Sequence, residues 1–429
     1  MYEIQCSLLL LRIIGYFNIL AIFLGLTRFR IDFKAQRVFQ SRLVARYVIC
    51  ANIAYLLALP VFYIYEAMYT SSQFDRDLVF LTESVNMLIS FGAAALSVLL
   101  RGQREGIHLK LAETVIALDR RHFQNMRAGQ RSVAHRSDHL LYFKMFALCL
   151  QTVVPFYDWL TVNDTVNVPE FLQTFYYAYS QSILAMALFM YYHWIWLLRK
   201  RFCLLNLTVL ELLRRLQQMP IGSERCGGFS STQQQCSVVE ATVILLKISQ
   251  IHALLNRLLS HLNRDYKVQI LAVLLKNVIE CISFGYYLTL GLSGSMDWEF
   301  DVGTLLFLSY AAILFVDLNL IYWISDMIID AQHQMSEIMR RFQLLPFLGD
   351  EFEQQCELFV MQLKRQQMDN KLAGMFQLNR QRALALWAYS LTQIIVLVQF
   401  DVSLRLKPST DNAVLNKLDN LFRVNDDEK

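Results

Sequence analysis

Polar residues recur at helical spacing inside a very apolar stretch near the carboxyl end, SLTQIIVLVQF at positions 390–400. The residues at offsets 0, 4, 7 and 8 would share one stripe of a helix, and they are Thr392, Val396, Gln399 and Phe400. In lipid, a hydroxyl and an amide on such a stripe need a partner helix or water. If several copies surrounded an axis, the stripe would line a narrow passage, and Asp401 would add a negative ring that favours cations. The spacing is therefore compatible with an ion channel, as it is with helix packing.

Tyrosines form a second candidate site, because several of them fall in the outer halves of the predicted fourth to sixth spans. The candidate ligand-binding residues are Tyr176, Tyr179, Tyr286, Tyr287 and Tyr310, with Tyr177 beside them. A cavity with apolar walls and a few hydroxyl groups would orient a small ligand. The alternative interpretation is an aromatic belt at the membrane surface combined with core packing.

Ionisable residues also occur inside apolar stretches. Lys276 and Glu280 stand four residues apart, which places them on one helix face where they can pair. Glu83, Asn86 and Asp317 lie in other apolar stretches. Such groups face a protein interior or a watery cavity, so structural pairing and ligand contact both remain open for them.

Enzyme, metal and nucleic-acid functions find no support in the sequence. The chain has no Walker-type glycine loop, no GxSxG and no HExxH. Cys226 and Cys236 lack the nearby pair of histidines that a zinc site needs. The net charge of +4 is too small to indicate nucleic-acid binding. We therefore expect no enzymatic activity, no cofactor, no metal site and no nucleic-acid partner.

Composition indicates that these residues belong to a membrane protein. The 429-residue chain is 55% hydrophobic and 18% charged, whereas soluble domains carry about 25% charged residues. A bilayer core requires about 20 apolar residues per helix. The stretches that meet this length are 43–65, 78–100, 139–162, 171–198, 269–293, 303–325 and 383–403. An eighth apolar stretch, 8–26, is expected to lie re-entrant or interfacial, with a full crossing as the alternative.

The charges of the loops predict the orientation. Lys and Arg are abundant after the opening stretch and in the loops 101–138, 199–268 and 326–382, and nearly absent from 66–77, 163–170 and 294–302. Basic loops remain in the cytoplasm, which predicts a cytoplasmic amino end and an extracellular carboxyl end. This orientation is opposite to that of a G-protein-coupled receptor. The sequon at Asn163 falls in an outer loop, so Asn163 is the expected glycosylation site.

These predictions combine into an all-α, polytopic membrane protein with seven transmembrane helices. Its expected parts are a cytoplasmic amino-terminal segment with a membrane-associated helix (1–42), the first four transmembrane helices (43–198), cytoplasmic helical arms (199–268), the fifth and sixth transmembrane helices (269–325), a cytoplasmic anchor region (326–382), a pore-lining seventh helix (383–403) and an extracellular tail (404–429). The triplet Asp119-Arg120-Arg121 in the basic loop is expected to be a solvated helix turn.

Residues 373–400, AGMFQLNRQRALALWAYSLTQIIVLVQF, resemble the carboxyl-terminal signature of insect gustatory receptors. That signature has a Gly and a Phe, an apolar-x-Arg step, Thr-Tyr, five apolar residues and Gln-Phe. The matching residues here are Gly374, Phe376, Leu378, Arg380, Thr392, Gln399 and Phe400. The chain departs from the pattern at Gln393, where the family has Tyr. It also continues to Lys429, whereas family members tend to end soon after Gln-Phe.

The resemblance implies a ligand-gated, non-selective cation channel, assembled as a tetramer of self or related subunits around the last span. By position, the gate of such a channel maps to Val396, Gln399 and Phe400. The implied partners are a small-molecule tastant, monovalent and divalent cations and membrane lipid, at the plasma membrane of sensory neurons. Bitter or otherwise aversive compounds are the expected tastants, because such members are the most numerous. An odorant receptor of the same superfamily and a metabotropic seven-helix receptor are the alternatives.

Overall fold

The computed structural model describes residues 8–32, 37–73, 77–123, 138–162, 168–218, 229–294, 302–345, 348–366, 371–372 and 376–426. The helices in these ranges are α1 (Leu8–Phe23), α2 (Arg42–Gln73), α3 (Asp77–Leu99), α4 (Arg101–Leu118), α5 (Asp138–Val162), α6 (Val168–Gln217), α7 (Phe229–Leu292), α8 (Val302–Phe342), α9 (Asp350–Arg365) and α10 (Arg380–Asp426). Two antiparallel hairpins pair β1 (Phe29–Asp32) with β2 (Arg37–Gln40) and β3 (Lys371–Leu372) with β4 (Phe376–Gln377).

The transmembrane helices fall where hydropathy predicts them. Among the described residues, six helices are long and apolar enough to cross a membrane, namely α2, α3, α6, α7, α8 and α10. The predicted third span, 139–162, coincides with α5. The predicted fold class, an all-α polytopic membrane protein with seven spans, is therefore confirmed.

Two of the helices extend far beyond a bilayer. α6 has 50 residues and α7 has 64, which correspond to about 75 and 96 Å at 1.5 Å per residue. A bilayer core is only about 30 Å thick. The helices of the predicted fourth and fifth spans thus each continue without a break into a long helical arm.

α6 occupies the centre of the bundle. It packs against α3, α5, α7 and α8, and 94% of the residues in its most apolar 18-residue segment are buried. Large aromatic side chains on several sides of this helix, including Tyr191, Tyr192 and Trp196, are fully buried. A helix that is apolar all round is stable only when neighbours surround it. The other spans therefore arrange themselves around α6.

The opening helix turns back instead of continuing. α1 has 16 residues, about 24 Å, which falls short of a bilayer core. The chain turns at Gly25, whose φ of 74° favours glycine. Asn52 of α2 donates a hydrogen bond from Nδ2 to the Gly25 carbonyl at 3.2 Å, and a Cβ at position 25 would lie 2.3 Å from Asn52 Oδ1. The contact with Asn52 therefore fixes the turn that follows α1 against α2.

Buried ion pairs hold α6 near its middle, at Lys200 and Arg201. Arg201 of α6 forms a two-pronged contact with Asp119, with Nη2–Oδ2 at 2.5 Å and Nε–Oδ1 at 3.2 Å. The neighbouring Lys200 lies 2.6 Å from Asp138 Oδ1. The expectation that Asp119 belongs to a solvated turn is therefore wrong. Asp119 is 5% exposed, because its carboxylate neutralises an arginine that α6 buries.

A buried histidine joins α4 to α7. The ring of His108 stacks on Tyr266, with ring centroids 5.4 Å apart, and the Tyr266 hydroxyl is hydrogen-bonded to His108 Nε2. Arg104 lies over the same tyrosine ring at 5.6 Å. Burial, and to a smaller extent the charge of Arg104, lowers the pKa of His108 to about 3. The imidazole is consequently neutral at physiological pH.

Candidate pore surface and ligand cavity

The last helix, α10, is the least buried of the six apolar helices named above. Only 11% of the residues in its most apolar 18-residue segment are buried. One face of α10 packs against α7 and α8. That face carries Trp387, Ser390, Ile394, Leu397 and Asp401, which recur every three or four residues. The opposite face is exposed over the whole span. α10 thus has one partnered face and one bare face within the subunit.

Four of the five predicted pore residues lie on the bare face of α10, and they are Thr392, Val396, Gln399 and Phe400. Phe400 is 60% exposed. Thr392 donates its hydroxyl to the carbonyl of Ala388 within the same helix at 2.9 Å. The fifth predicted residue, Asp401, is 5% exposed. It follows Thr392 by nine residues, about half a turn around the helix. Asp401 therefore faces the bundle, whereas the ring expected at the outer mouth would require it to face the passage.

Signature residues anchor the start of α10 to α8. The backbone N–H of Arg380 donates to Asp326 Oδ2 at 2.9 Å, and its guanidinium Nε lies 3.4 Å from the same oxygen. The guanidinium carbon also stands 5.2 Å from the centre of the Trp323 ring. About two turns further on, Trp387 donates to Asn319 at 3.3 Å. The apolar-x-Arg step therefore orients the helix that carries the exposed stripe.

A small cavity of about 10 Å³, roughly the space of one water molecule, lies among α5, α6, α7 and α8. Its polar lining consists of Gln151, Gln181, Lys276, Asn277, Tyr310 and Asp317. These residues lie eight to sixteen residues from the nearer ends of their helices, which corresponds to a depth of roughly 12–24 Å. The cavity thus belongs to the membrane part of the bundle.

The charges at this cavity are paired inside the protein. Lys144 of α5 forms a buried ion pair with Asp317 of α8. Lys276 forms a second buried pair with Glu280, as their spacing predicts. Tyr310 donates its hydroxyl to Glu280 at 3.3 Å. Buried charges in a membrane protein are tolerated when each has such a partner.

The structure distributes the five predicted ligand-binding tyrosines over three places. Only Tyr310 among them lines the cavity just described. Tyr286 and Tyr287 lie where α7 meets α3 and α10, in a small cluster with Val79, Leu290, Leu397 and Val398. Glu83 of α3 lies beside Tyr287. These two tyrosines are therefore adjacent to the last helix instead of the cavity.

Tyr176 and Tyr179 belong to an aromatic cluster between α2 and α6. Tyr176 stacks on Phe62 with ring centroids 4.2 Å apart, and its hydroxyl donates to the carbonyl of Tyr55 at 3.1 Å. Tyr55 in turn donates to Ser180 at 2.9 Å. Tyr179 tilts against Tyr55 at 5.8 Å. The cluster follows the interpretation of core packing, which was the alternative to a ligand site.

Sequence reasoning missed the amides of the cavity. Gln151, Gln181 and Asn277 are single polar residues inside the predicted third, fourth and fifth spans, and their depth in lipid was the available signal. Lys144 was missed as the partner of Asp317 because the two are separated by 173 positions. The glycosylation prediction at Asn163 lies outside the described residues.

The architecture defines a helical membrane protein with seven transmembrane helices. Residues 14–404 match the profile of a family described as the 7tm chemosensory receptor. Because this match covers most of the chain, the protein belongs to the 7tm chemosensory receptor family.

Sequence relatives and solved structures agree with this membership. Two Drosophila melanogaster proteins named gustatory receptors 58a and 58b are 38% identical over 69 residues and 24% identical over 90 residues, which are 16% and 21% of this chain. The matches span 18% and 22% of those relatives. The olfactory receptor OR5 of Machilis hrabei, solved alone and in complex with eugenol, has TM-scores of 0.58 and 0.56 at 13% and 12% identity. Both comparisons cover 90% of this chain and 97% of that receptor, which shows a shared fold.

Proposed function

We propose that the protein is a gustatory receptor that acts as a ligand-gated, non-selective cation channel. In this proposal four subunits surround an axis, each presents the bare face of α10 to the passage, and a tastant binds in a cavity of each subunit. Bitter or aversive compounds are the proposed stimuli. The receptor resides in the plasma membrane of sensory neurons with its amino end in the cytoplasm and its carboxyl end outside.

One observation carries the proposal, and it is the two-faced last helix. A transmembrane helix that only filled space would bury polar groups inward and expose apolar groups to lipid. α10 instead exposes Thr392 and Gln399 together with Phe400 on the face opposite its packed side. Polar groups in a membrane need water or another protein surface. A four-fold assembly around a hydrated passage supplies both.

The stripe also has the composition of a gate. Val396 and Phe400 provide apolar rings, and a hydrophobic constriction closes a pore by excluding water. Gln399 provides a neutral polar ring that suits cations without selecting one of them. The passage is not proposed to carry a ring of Asp401, because that carboxylate is buried on the other side of the helix.

The experiment compares Phe400→Ala and Gln399→Glu with Leu391→Ala in cells that lack other receptors. Leu391 is 61% exposed, as Phe400 is at 60%, but it lies about half a turn from Phe400 around α10. We expect Phe400→Ala to raise the resting current, because a smaller apolar ring lowers the dewetting barrier. We expect Gln399→Glu to shift reversal potentials toward divalent cations. Leu391→Ala should conduct like the unmodified receptor at matched surface levels.

Two results would count against the proposal. If all three variants conducted like the unmodified receptor, the stripe would be a packing surface. If a carboxyl-terminal tag became accessible only after permeabilisation, the orientation would be wrong and a metabotropic receptor would be favoured.

A further inference from the structure

The first turns of α2 carry a face that changes from basic to apolar along the helix. Arg42 and Arg46 are exposed, and the exposed Ile49 and Ile53 continue the same stripe at offsets of 7 and 11 residues from Arg42. Only 17% of the residues in the most apolar segment of α2 are buried, so this face of the span is open to lipid. Arg46 precedes Ile49 by about 4.5 Å along the axis. The two arginines therefore lie at the height of the lipid headgroups.

The hairpin of β1 and β2 adds two arginines beside this end of α2. Arg30 lies directly opposite Phe39 in the hairpin, and Arg37 lies opposite Asp32. Opposite residues of paired strands share a face, and Arg30, Phe39 and Arg37 are exposed on theirs. α2 begins two residues after β2 ends, a distance of at most about 7 Å. The exposed face of the hairpin thus adjoins the basic start of α2.

Specific contacts hold α1, the hairpin and α2 together. Tyr47 of α2 donates its hydroxyl to the carbonyl of Phe23 in α1 at 2.9 Å. A backbone N–H of β1 donates to Asn18 of α1 at 3.2 Å. Arg28, directly before the hairpin, forms a salt bridge with Glu105 of α4 at 3.0 Å. The three elements consequently form one fixed unit.

The exposed arginines of this unit carry charge that the subunit does not neutralise. We define the basic surface as Arg30, Arg37, Arg42 and Arg46 together with the exposed Phe39 and Leu43. No salt bridge joins any of these four arginines to a residue in the described ranges, in contrast to Arg28. Asp32 faces Arg37 across the hairpin, so the surface keeps a clear excess of positive charge.

We propose that the basic surface binds the headgroup of a phosphorylated inositol phospholipid in the cytoplasmic leaflet. The inference rests on the function proposed above, because that orientation places the amino end of the chain in the cytoplasm. Clusters of four or more basic residues directly cytoplasmic of a transmembrane helix recognise anionic lipids of this kind. A guanidinium binds a phosphate through two parallel hydrogen bonds, whereas an ammonium acts as a point charge. Because the arginines belong to two elements, a headgroup with several phosphates can bind the hairpin and the helix at once.

The apolar members of the basic surface indicate a lipid as the source of the phosphates. Phe39 is 51% exposed and Leu43 is 75% exposed, and both stand among the arginines. A soluble phosphate compound would leave these two side chains in water. At a membrane surface they can insert between the acyl chains while the arginines bind the headgroups. Charge and apolar exposure therefore favour the same occupant.

The test measures lipid binding by the purified full-length receptor. Nanodiscs are prepared from phosphatidylcholine alone, with phosphatidylserine, and with phosphatidylinositol bisphosphate, the last two at equal total negative charge. The readouts are the melting temperature and the number of inositol lipids that each subunit retains, determined by native mass spectrometry. Both leaflets of a nanodisc are accessible, so neither readout depends on orientation or conduction. We expect the inositol lipid to give the largest stabilisation.

Charge-removing variants locate the lipid. Arg42→Gln with Arg46→Gln removes the pair on α2, and Arg30→Gln with Arg37→Gln removes the pair on the hairpin. Each double variant should weaken binding of the inositol lipid about 30-fold, because one arginine near a membrane surface contributes about fivefold. Arg42→Lys with Arg46→Lys retains the charge, and it should reduce the preference for the inositol lipid over phosphatidylserine.

The matched control removes two exposed arginines far from the bilayer. Arg214→Gln with Arg340→Gln changes the net charge by the same amount as each double variant. Arg214 and Arg340 are exposed and lie 16 and 15 residues beyond the predicted fourth and sixth spans, about 22–24 Å along their helices. This control should bind the inositol lipid like the unmodified receptor.

Four results would overturn the inference. These are equal stabilisation by phosphatidylserine at matched charge, equal stabilisation by soluble inositol trisphosphate, equal lipid binding by the control and the double variants, and a changed oligomeric state of the double variants with unchanged lipid binding. The last result would identify the surface as a subunit contact. Lipid binding that the double variants weaken, in a receptor whose Phe400→Ala variant conducts like the unmodified form, would uphold the lipid site and refute the proposed gate.

Discussion

Gly285 of α7 lies in close contact with the last helix, and it offers a sharp test of how α10 is held. A Cβ added at position 285 would lie 2.2 Å from Ile394 Cδ1 and 3.0 Å from Ile394 Cγ1. Carbon atoms in ordinary contact are about 3.5–4.0 Å apart. Gly285→Ala therefore requires Ile394 to change rotamer or α10 to move outward by roughly 1–2 Å.

The expected magnitude follows from this overlap. Inserting a methyl group into a packed contact costs about 1–3 kcal/mol, while replacing glycine by alanine in a helix gains up to about 1 kcal/mol. If the strain destabilises the packing of α10 on α7 in this structure more than in the other state of the channel, the ratio of open to closed channels changes. A difference of about 1–3 kcal/mol corresponds to a change of about 5–150-fold in that ratio. The readout is resting current relative to maximal current at matched surface levels, together with the melting temperature of the purified receptor.

Two further variants make this prediction strict. Gly92→Ala on α3 is the control, because a Cβ at that position meets no atom within 4 Å, so only the helix propensity changes. Ile394→Val removes the atom that overlaps most and should largely restore the Gly285→Ala phenotype, giving a coupling energy in a double-mutant cycle. The reasoning fails if Gly285→Ala behaves like Gly92→Ala, or if Ile394→Val adds its own effect without rescue.

Two predictions concern buried ionisable groups. Lys144→Met should destabilise the receptor by about 3–5 kcal/mol, because it leaves Asp317 charged and unpaired in the bundle. Adding Asp317→Leu should recover most of the loss in melting temperature. If the effects of the two substitutions on the melting temperature were additive, the ion pair would be refuted. The low pKa of His108, about 3, means that only the unfolded chain binds this proton between about pH 6.5 and 3. The free energy of unfolding should consequently fall by up to about 1.4 kcal/mol per pH unit as the pH drops through that range. His108→Gln should reduce the slope of the unfolding free energy against pH by the equivalent of one proton. An unchanged slope would contradict the assignment.

Hydropathy and periodicity were sufficient for the helices and for the stripe on α10. Apolar length is a local property, so 43–65 and 383–403 could be recognised without knowledge of their neighbours. The exposed positions of Thr392 and Gln399 follow from a period of 3.6 residues and from the packing of the other face. The same period also places Asp401 on the packed face. The expectation of an Asp401 ring did not take into account that Asp401 lies about half a turn around the helix from Thr392.

The cavity could not be predicted in the same way, because its walls come from four helices that are distant in sequence. Five tyrosines shared a predicted depth, but depth does not specify which side of a helix faces which neighbour. Tyr310 turned toward the cavity, whereas Tyr176 turned toward α2 and Tyr286 toward α10. Single glutamines and an asparagine at the same depth were the stronger signal, because an amide in lipid requires a polar surrounding and a tyrosine at a membrane surface does not.

The cavity and the last helix are connected through two rigid elements. On α7, Lys276 and Asn277 line the cavity, and Gly285 contacts α10 about nine residues later. On α8, Asp317 lines the cavity and Asn319, two residues further on, bonds Trp387 of α10. A helix without a proline or a kink transmits a shift of one turn to the next because its backbone hydrogen bonds resist bending. A shift of α7 or α8 at the cavity must therefore change the surface on which α10 rests. The bare face of α10 has no other contact within the described subunit that would oppose this change. For this reason the Gly285→Ala variant should alter gating, whereas Gly92→Ala, whose added Cβ meets no atom within 4 Å, should leave the resting current intact.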